Sequence, residues 1–132
     1  MKRAVRGITI GFLSMVMLVL VSIGWPIRFD VPGSFVGGAQ VRLDDPGCPR
    51  IGRDGWFYVI VLDERGTGCV NGFDLGGKWR VYRYEAICSD GSRRRYRFSS
   101  TRGDGIVTEE GGGRGVDGVR AFSFTVGRSG CP

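Results

Sequence analysis

Residues 8–25 read ITIGFLSMVMLVLVSIGW, an apolar run without one charged side chain. As a helix this stretch rises about 27 Å, close to the apolar thickness of a bilayer, so it predicts a membrane-spanning segment. Past Trp25 the apolar positions take up a period of two. Ile27, Phe29 and Val31 alternate with Arg28 and Asp30, and Ala39, Val41 and Leu43 alternate with Gln40 and Arg42, the pattern of strands with one buried face. Pro32-Gly33 and Asp44-Asp45-Pro46-Gly47 punctuate these runs. Trp56 to Leu62 is apolar on both faces and rich in β-branched and aromatic residues, which predicts a central strand. Phe122, Phe124 and Val126 alternate with Ala121, Ser123 and Thr125 and predict the last strand, while Gly111-Gly112-Gly113-Arg114-Gly115 before it reads as a loop.

Lys78 to Cys88 and Arg93 to Ser99 predict a hairpin closed at Ser89-Asp90-Gly91. A two-residue Asp-Gly loop would set Tyr96 against Glu85 and Phe98 against Arg83. A three-residue loop with Gly91 in the left-handed conformation instead faces Tyr84 with Tyr96 and Tyr82 with Phe98, two matched aromatic pairs, and is the register expected. About six or seven short strands with frequent turns, and no amphipathic helix after residue 26, predict an all-β domain. The expected architecture is a small antiparallel β-sandwich, with a partly open barrel as the alternative, preceded by one N-terminal transmembrane helix.

Charge gives this arrangement a direction. Lys2, Arg3 and Arg6 precede the apolar run with no acid among them. The positive-inside rule therefore puts residues 1–7 in the cytoplasm and residues 8–25 in the membrane as a signal-anchor. Residues 26–132 then form an exported domain, periplasmic or extracellular. Ser22 and Gly24 also fit a signal-peptidase site before Trp25, but the apolar run exceeds the usual length of a cleaved signal, so a retained anchor is expected. No cysteine follows the run closely, which argues against a lipoprotein. Without its three N-terminal cations the net charge of +6 falls to +3, and an exported domain of that charge is not expected to bind nucleic acid.

Glycine makes up 24 of the 132 residues, well above the usual share of about 7%, as a chain of short strands and tight turns requires. Cys48, Cys69, Cys88 and Cys131 all fall in the exported part, where an oxidising compartment permits two structural disulfides in one of three connectivities. There is no Cys-x-x-Cys pair and the chain contains no histidine. The cysteine spacings do not resemble a zinc knuckle, a mixed Cys/His site cannot form, and any mechanism that needs an imidazole is excluded.

The order of several short motifs resembles an uncharacterised family of small exported bacterial β-domains. These motifs are Phe29-x-Val31-Pro32-x-x-Phe35-x-Gly37, Asp45-Pro46-x-Cys48-Pro49, Gly66-x-x-Cys69, Tyr82-x-Tyr84, Asp90-Gly91 and Phe122-x-Phe124-x-Val126-Gly127. The resemblance covers nearly all of the exported part; it implies export, β structure and a Cys48–Cys69 bridge, and nothing about chemistry. The C-terminal cysteine and the anchor lie outside it. The connectivity expected is Cys48 with Cys69 and Cys88 with Cys131.

Gly7, Gly11, Ser14, Leu18 and Ser22 recur every three or four residues along one helical face, a small-residue surface of the kind on which membrane helices pack. Arg93, Arg95 and Arg97 share one strand face, with Tyr96 and Phe98 on the other. Such a basic face binds an anionic envelope glycan or lipid, or simply keeps an edge strand from pairing with other chains. The acidic pairs Asp44-Asp45, Asp63-Glu64 and Glu109-Glu110 suit turns better than a calcium cage or a glycosidase acid and base. Arg102-Gly103-Asp104 is expected by chance in this composition. No nucleophile with a partnering base is visible, so no catalytic residue, cofactor or metal is expected. The function expected is that of a noncatalytic, membrane-anchored envelope protein, a protein-interaction domain or accessory subunit of a larger membrane complex. Its partners would be the bilayer and another membrane or envelope protein. A binding module for an anionic envelope component is the alternative.

Overall fold

The computed structural model describes residues 2–72, 80–98, 106–114 and 120–132. One helix, α1 (Lys2–Ser22), is followed by β1 (Ile27–Pro32), β2 (Gly37–Leu43), β3 (Gly52–Asp54), β4 (Phe57–Val61) and β5 (Thr67–Cys69). Then come β6 (Tyr82–Ile87), β7 (Arg93–Arg95), β8 (Arg97–Phe98), β9 (Ile106–Arg114) and β10 (Arg120–Val126). The Arg102-Gly103-Asp104 tripeptide and the start of the expected hairpin at Lys78 lie outside the described residues.

The helix does not run to Trp25 as expected. The Ser22 hydroxyl donates back to the Leu18 carbonyl at 2.8 Å, sharing an acceptor of the last turn with the backbone, a bond that serine makes at the cost of helix continuity. Gly24 and Pro26 follow, and proline has neither the amide nor the steric freedom to continue a helix. Among the described residues no helix is long and apolar enough to cross a membrane.

The strands form two open five-stranded sheets, in the orders β3-β4-β1-β6-β7 and β5-β2-β10-β9-β8. The expectation of an antiparallel sandwich is corrected in one respect: both sheets are mixed. β1 pairs in parallel with β4 and with β6, and β2 in parallel with β5. The chain passes repeatedly between the two sheets, so neighbours such as β1 and β4 are joined through the opposite layer and enter in the same direction. Parallel pairing needs a long crossover, and here strands of the second sheet supply it in place of helices.

The Trp56–Leu62 segment supplies β4, an interior strand as expected, and β1 beside it is the middle strand of the first sheet. Ile27, Phe29 and Val31 point from β1 into the space between the sheets, each almost fully buried. The Phe29 ring stacks on Tyr84 of its own sheet, centroids 5.0 Å apart, and on Phe122 of the opposite sheet at 5.4 Å. Phe124, Val126, Ala39, Val41 and Leu43 complete that layer, as their alternation in the sequence requires.

The hairpin adopts the three-residue loop. Glu85 pairs with Arg95 and Ile87 with Arg93, and the Tyr96 amide donates to the Tyr84 carbonyl at 2.9 Å. Gly91 sits at φ 80°, the left-handed conformation that glycine adopts without strain. The Asp90 carboxylate accepts the Ser92 hydroxyl and amide at 2.6 and 2.9 Å, and these bonds hold it below the usual carboxylate range. After Tyr96 the chain leaves the first sheet, and β8 joins the edge of the second beside β9.

The glycine-rich segment is not a loop. Gly111, Gly112 and Gly113 lie in β9, opposite Ser123, Phe122 and Ala121 of β10, with a register shift between Ser123 and Phe124. A strand rich in glycine is weak alone, and a Phe122 placed across from Gly112 is the arrangement in which an aromatic side chain compensates for the missing one. Gly115 lies outside the described residues.

Tyr96, buried between Tyr84 and the C-terminal tail, has its phenol raised above the ordinary value by desolvation. The folded state thus holds this proton more tightly than the unfolded chain does. The resulting stability is complete below about pH 10, where the unfolded phenol titrates, and is lost as pH rises toward the folded value. Unfolding by urea at pH 8 and above pH 10 should show an alkaline loss in the wild type that Tyr96→Phe diminishes; an equal loss in both would remove Tyr96 as its source.

Candidate functional site

Because β1, β4 and β6 run in parallel, with Ile27 in register with Tyr58 and Tyr82, the residues preceding them gather at one end of the domain. That is the end where α1 enters. Trp25 stacks on Trp56 with centroids 5.1 Å apart, and the Arg53 guanidinium lies 4.3 Å over the Trp25 ring. Arg80 lies against Gly24 and donates to the Trp25 carbonyl at 2.9 Å. The Ile27 amide donates to Val81 and the Tyr58 amide to Pro26, both at 2.9 Å, so the helix exit is fixed to both neighbouring strands. Trp56 at the tip of the β3–β4 turn is 72% exposed and Val81 64% exposed.

The outer face of the first sheet holds a lattice of charges that sequence reasoning missed. Arg28 and Asp30 alternate with the core positions of β1 and read as solvent-facing, yet both are buried, as is Glu85 of β6. Arg28 bonds Asp30 and Asp54, each at 2.8 Å, and Arg83 meets Glu85 at 2.6 Å. Arg93 lies 3.1 Å from Asp30 and 3.4 Å from Glu85. Burial alone would lower the Arg28 pKa, but the bonds to Asp30 and Asp54 outweigh it and raise the value, keeping the guanidinium charged. The signal in the sequence was the charge pattern itself: opposite charges two apart on a strand with arginines and an acid on its neighbour.

The three arginines of the expected basic face are therefore not equivalent. Arg93 is engaged with the lattice, Arg95 lies on β7 at the edge of the first sheet, and Arg97 belongs to β8 at the edge of the second. An edge strand of exposed arginines resists pairing with other chains. Along α1, Gly11, Ser14, Leu18 and Ser22 are exposed, and the surroundings of Gly7 lie outside the described residues. The acidic pairs serve turns: Asp63 accepts the amides of Arg65 and Thr67, and Asp45 that of Gly47. The Glu109 and Glu110 side chains lie outside the described residues.

Cys48 is bonded to Cys69 and Cys88 to Cys131, leaving no free cysteine. Asp45 lies beside the first bridge, but sulfurs bonded to each other offer no thiolate to a metal. The second bridge lines a cleft of about 300 Å³ at the end of the domain away from the helix, between Pro32-Gly33, Ile87 and the C-terminus. Ser34, Ser89 and Ser129 line it, and the Ser129 hydroxyl is committed to the Gly33 carbonyl at 2.7 Å.

These features define a disulfide-stapled, two-sheet β-domain joined to an N-terminal apolar helix through an aromatic and cationic collar. No family model matches the chain, and no curated protein matches it. Among solved structures the fold is similar to that of a Bacillus anthracis protein described as a putative lipoprotein, with a TM-score of 0.63 and 16% identity over 82% of this chain and 73% of that one.

Proposed function

We propose that this chain is an exported, membrane-anchored, noncatalytic protein, an accessory subunit that joins a larger envelope complex through its helix. The observation that carries the reading is the surface of α1. Ile8, Phe12, Leu13, Met15, Met17 and Leu18 all stay exposed, between 59% and 74%. Apolar surface left in water costs about 25 cal/mol per Å², so a helix exposed on every side needs a bilayer or another helix around it. Lys2, Arg3 and Arg6 at its start set the domain on the far side, where an oxidising compartment maintains the two disulfides. The motif order, which resembles that of small exported bacterial β-domains, points the same way. A neighbour in fold that is described as a putative lipoprotein fits a tethered domain, with one difference. The first cysteine of this chain, Cys48, is consumed by its bridge to Cys69, so the helix replaces lipid as the tether.

Gly11→Leu with Ser14→Leu would fill the small-residue face and push a packed helix away. Affinity purification in mild detergent should recover a stoichiometric membrane partner with the wild type and lose it with this variant, while the thermal unfolding of the domain is unchanged. A wild-type protein recovered alone, or one whose intact mass lacks residues 1–24, would overturn the subunit reading or the anchor respectively.

A further inference from the structure

We propose that the collar at the helix exit is a lipid-binding surface that seats the β-domain directly on the anionic headgroups of its own bilayer, in place of leaving it free on a tether. This rests on the anchored reading and adds to it the ligand and the orientation of the domain.

Three observations carry it. The parallel register of β1, β4 and β6 brings Trp25, Trp56 and Val81 to the same end of the domain, and this is the end the helix leaves. Only Ile23 and Gly24 separate the end of α1 at Ser22 from Trp25, too short a link to lift the collar clear of the headgroup layer, since extended chain spans about 3.5 Å per residue. Trp25 is bonded to the domain by Arg80 and stacked on Trp56, so the collar and the helix exit form one continuous structure.

The chemistry of the collar suits that layer. Tryptophan is the side chain that collects at membrane interfaces, where an apolar ring and a polar N–H are both satisfied. Trp56 and Val81 are exposed although large and apolar, at a turn and a strand start where a smaller polar residue would serve. Arg53 lies over Trp25 and is exposed at its edge. A guanidinium stacked on a ring keeps its in-plane donors, which match the geometry of a lipid phosphate.

The test uses the full chain reconstituted into vesicles of phosphatidylcholine alone or with phosphatidylglycerol. Trp25→Phe with Trp79→Phe leaves Trp56 as the sole indole. In anionic vesicles Trp56 should be quenched by lipids brominated near the headgroup, shift its emission to the blue and be shielded from acrylamide. Arg53→Gln should lower the ratio of shielded to exposed Trp56 by about fivefold, the equivalent of about 1 kcal/mol for one cation at an anionic surface. Trp56 left open to acrylamide and unquenched by brominated lipid, in a protein that resists alkaline carbonate extraction, would overturn the seating and leave the anchor standing. Trp56 shielded from acrylamide but unquenched by lipid would make the collar a protein contact and overturn the proposal. Release by carbonate would overturn the anchor and this inference together.

Discussion

Replacing Cys88 and Cys131 by serine is expected to destabilise the domain by about 4 kcal/mol, and replacing Cys48 and Cys69 by about 3 kcal/mol, from the chain entropy that each bridge removes from the unfolded state. The difference follows from the loops closed, 43 residues against 21. The Cys88–Cys131 bridge fastens the C-terminal tail to the end of β6, where the Gly130 amide also donates to Gly33 at 3.0 Å. The Cys48–Cys69 bridge brackets the β3–β4 hairpin between the turn after β2 and the end of β5. A domain of this size holds a net stability of only about 5 to 10 kcal/mol, so loss of both bridges should leave it unfolded. Urea unfolding of oxidised wild type, each double serine variant and the quadruple variant measures this. Midpoints that stay together would show that the two sheets hold without them.

Much of the layer between the sheets was legible in the sequence because it is written locally. The alternation in β2 and β10 selects the buried side correctly, and Tyr84 against Tyr96 selects the hairpin register, since each depends on residues a few positions apart. The direction of neighbouring strands is not written that way. Ile27 meets Tyr58 and Tyr82, contacts between segments far apart in the chain, and the period of two is the same for parallel and antiparallel pairing. The glycines of β9 misled for a related reason: composition described a flexible segment, and the ladder with β10 that orders it is a tertiary fact. Trp25 misled differently. It ends an apolar run and reads as membrane, yet Pro26 stops the helix and the ring turns back onto Trp56. Of the candidate sites, the small-residue face and the basic strand were visible as patterns. The collar was not, because it gathers residues that precede β1, β4 and β6 with Arg53 of β3, segments far apart in the chain.

Arg28→Met is expected to cost about 3 kcal/mol, although it replaces a charge by an apolar side chain of similar length on the central strand. Asp30 and Glu85, in register on neighbouring strands, would be left facing each other with 7% of either side chain in solvent. Arg93 and Arg83 would remain to neutralise them, and these are 46% and 36% exposed, so each is screened by water and gives up less energy to a carboxylate than Arg28 does. The penalty belongs to the stranded acids more than to the lost bonds, which makes the effects strongly non-additive. Removing the acids as well, with Asp30→Leu and Glu85→Leu beside Arg28→Met, should return most of the stability. Arg83 and Arg93 can turn outward, and Phe57, which lies under Arg28 and Arg83 at 6.0 and 5.4 Å, offers an apolar floor for the new side chains. Denaturant unfolding of the single and triple variants decides the matter. A triple variant as unstable as the single effects added together would mean that Arg28, Asp30 and Glu85 act as independent bonds; a single Arg28→Met variant within about 0.5 kcal/mol of wild type, the range of an ordinary surface substitution, would mean that water reaches them after all.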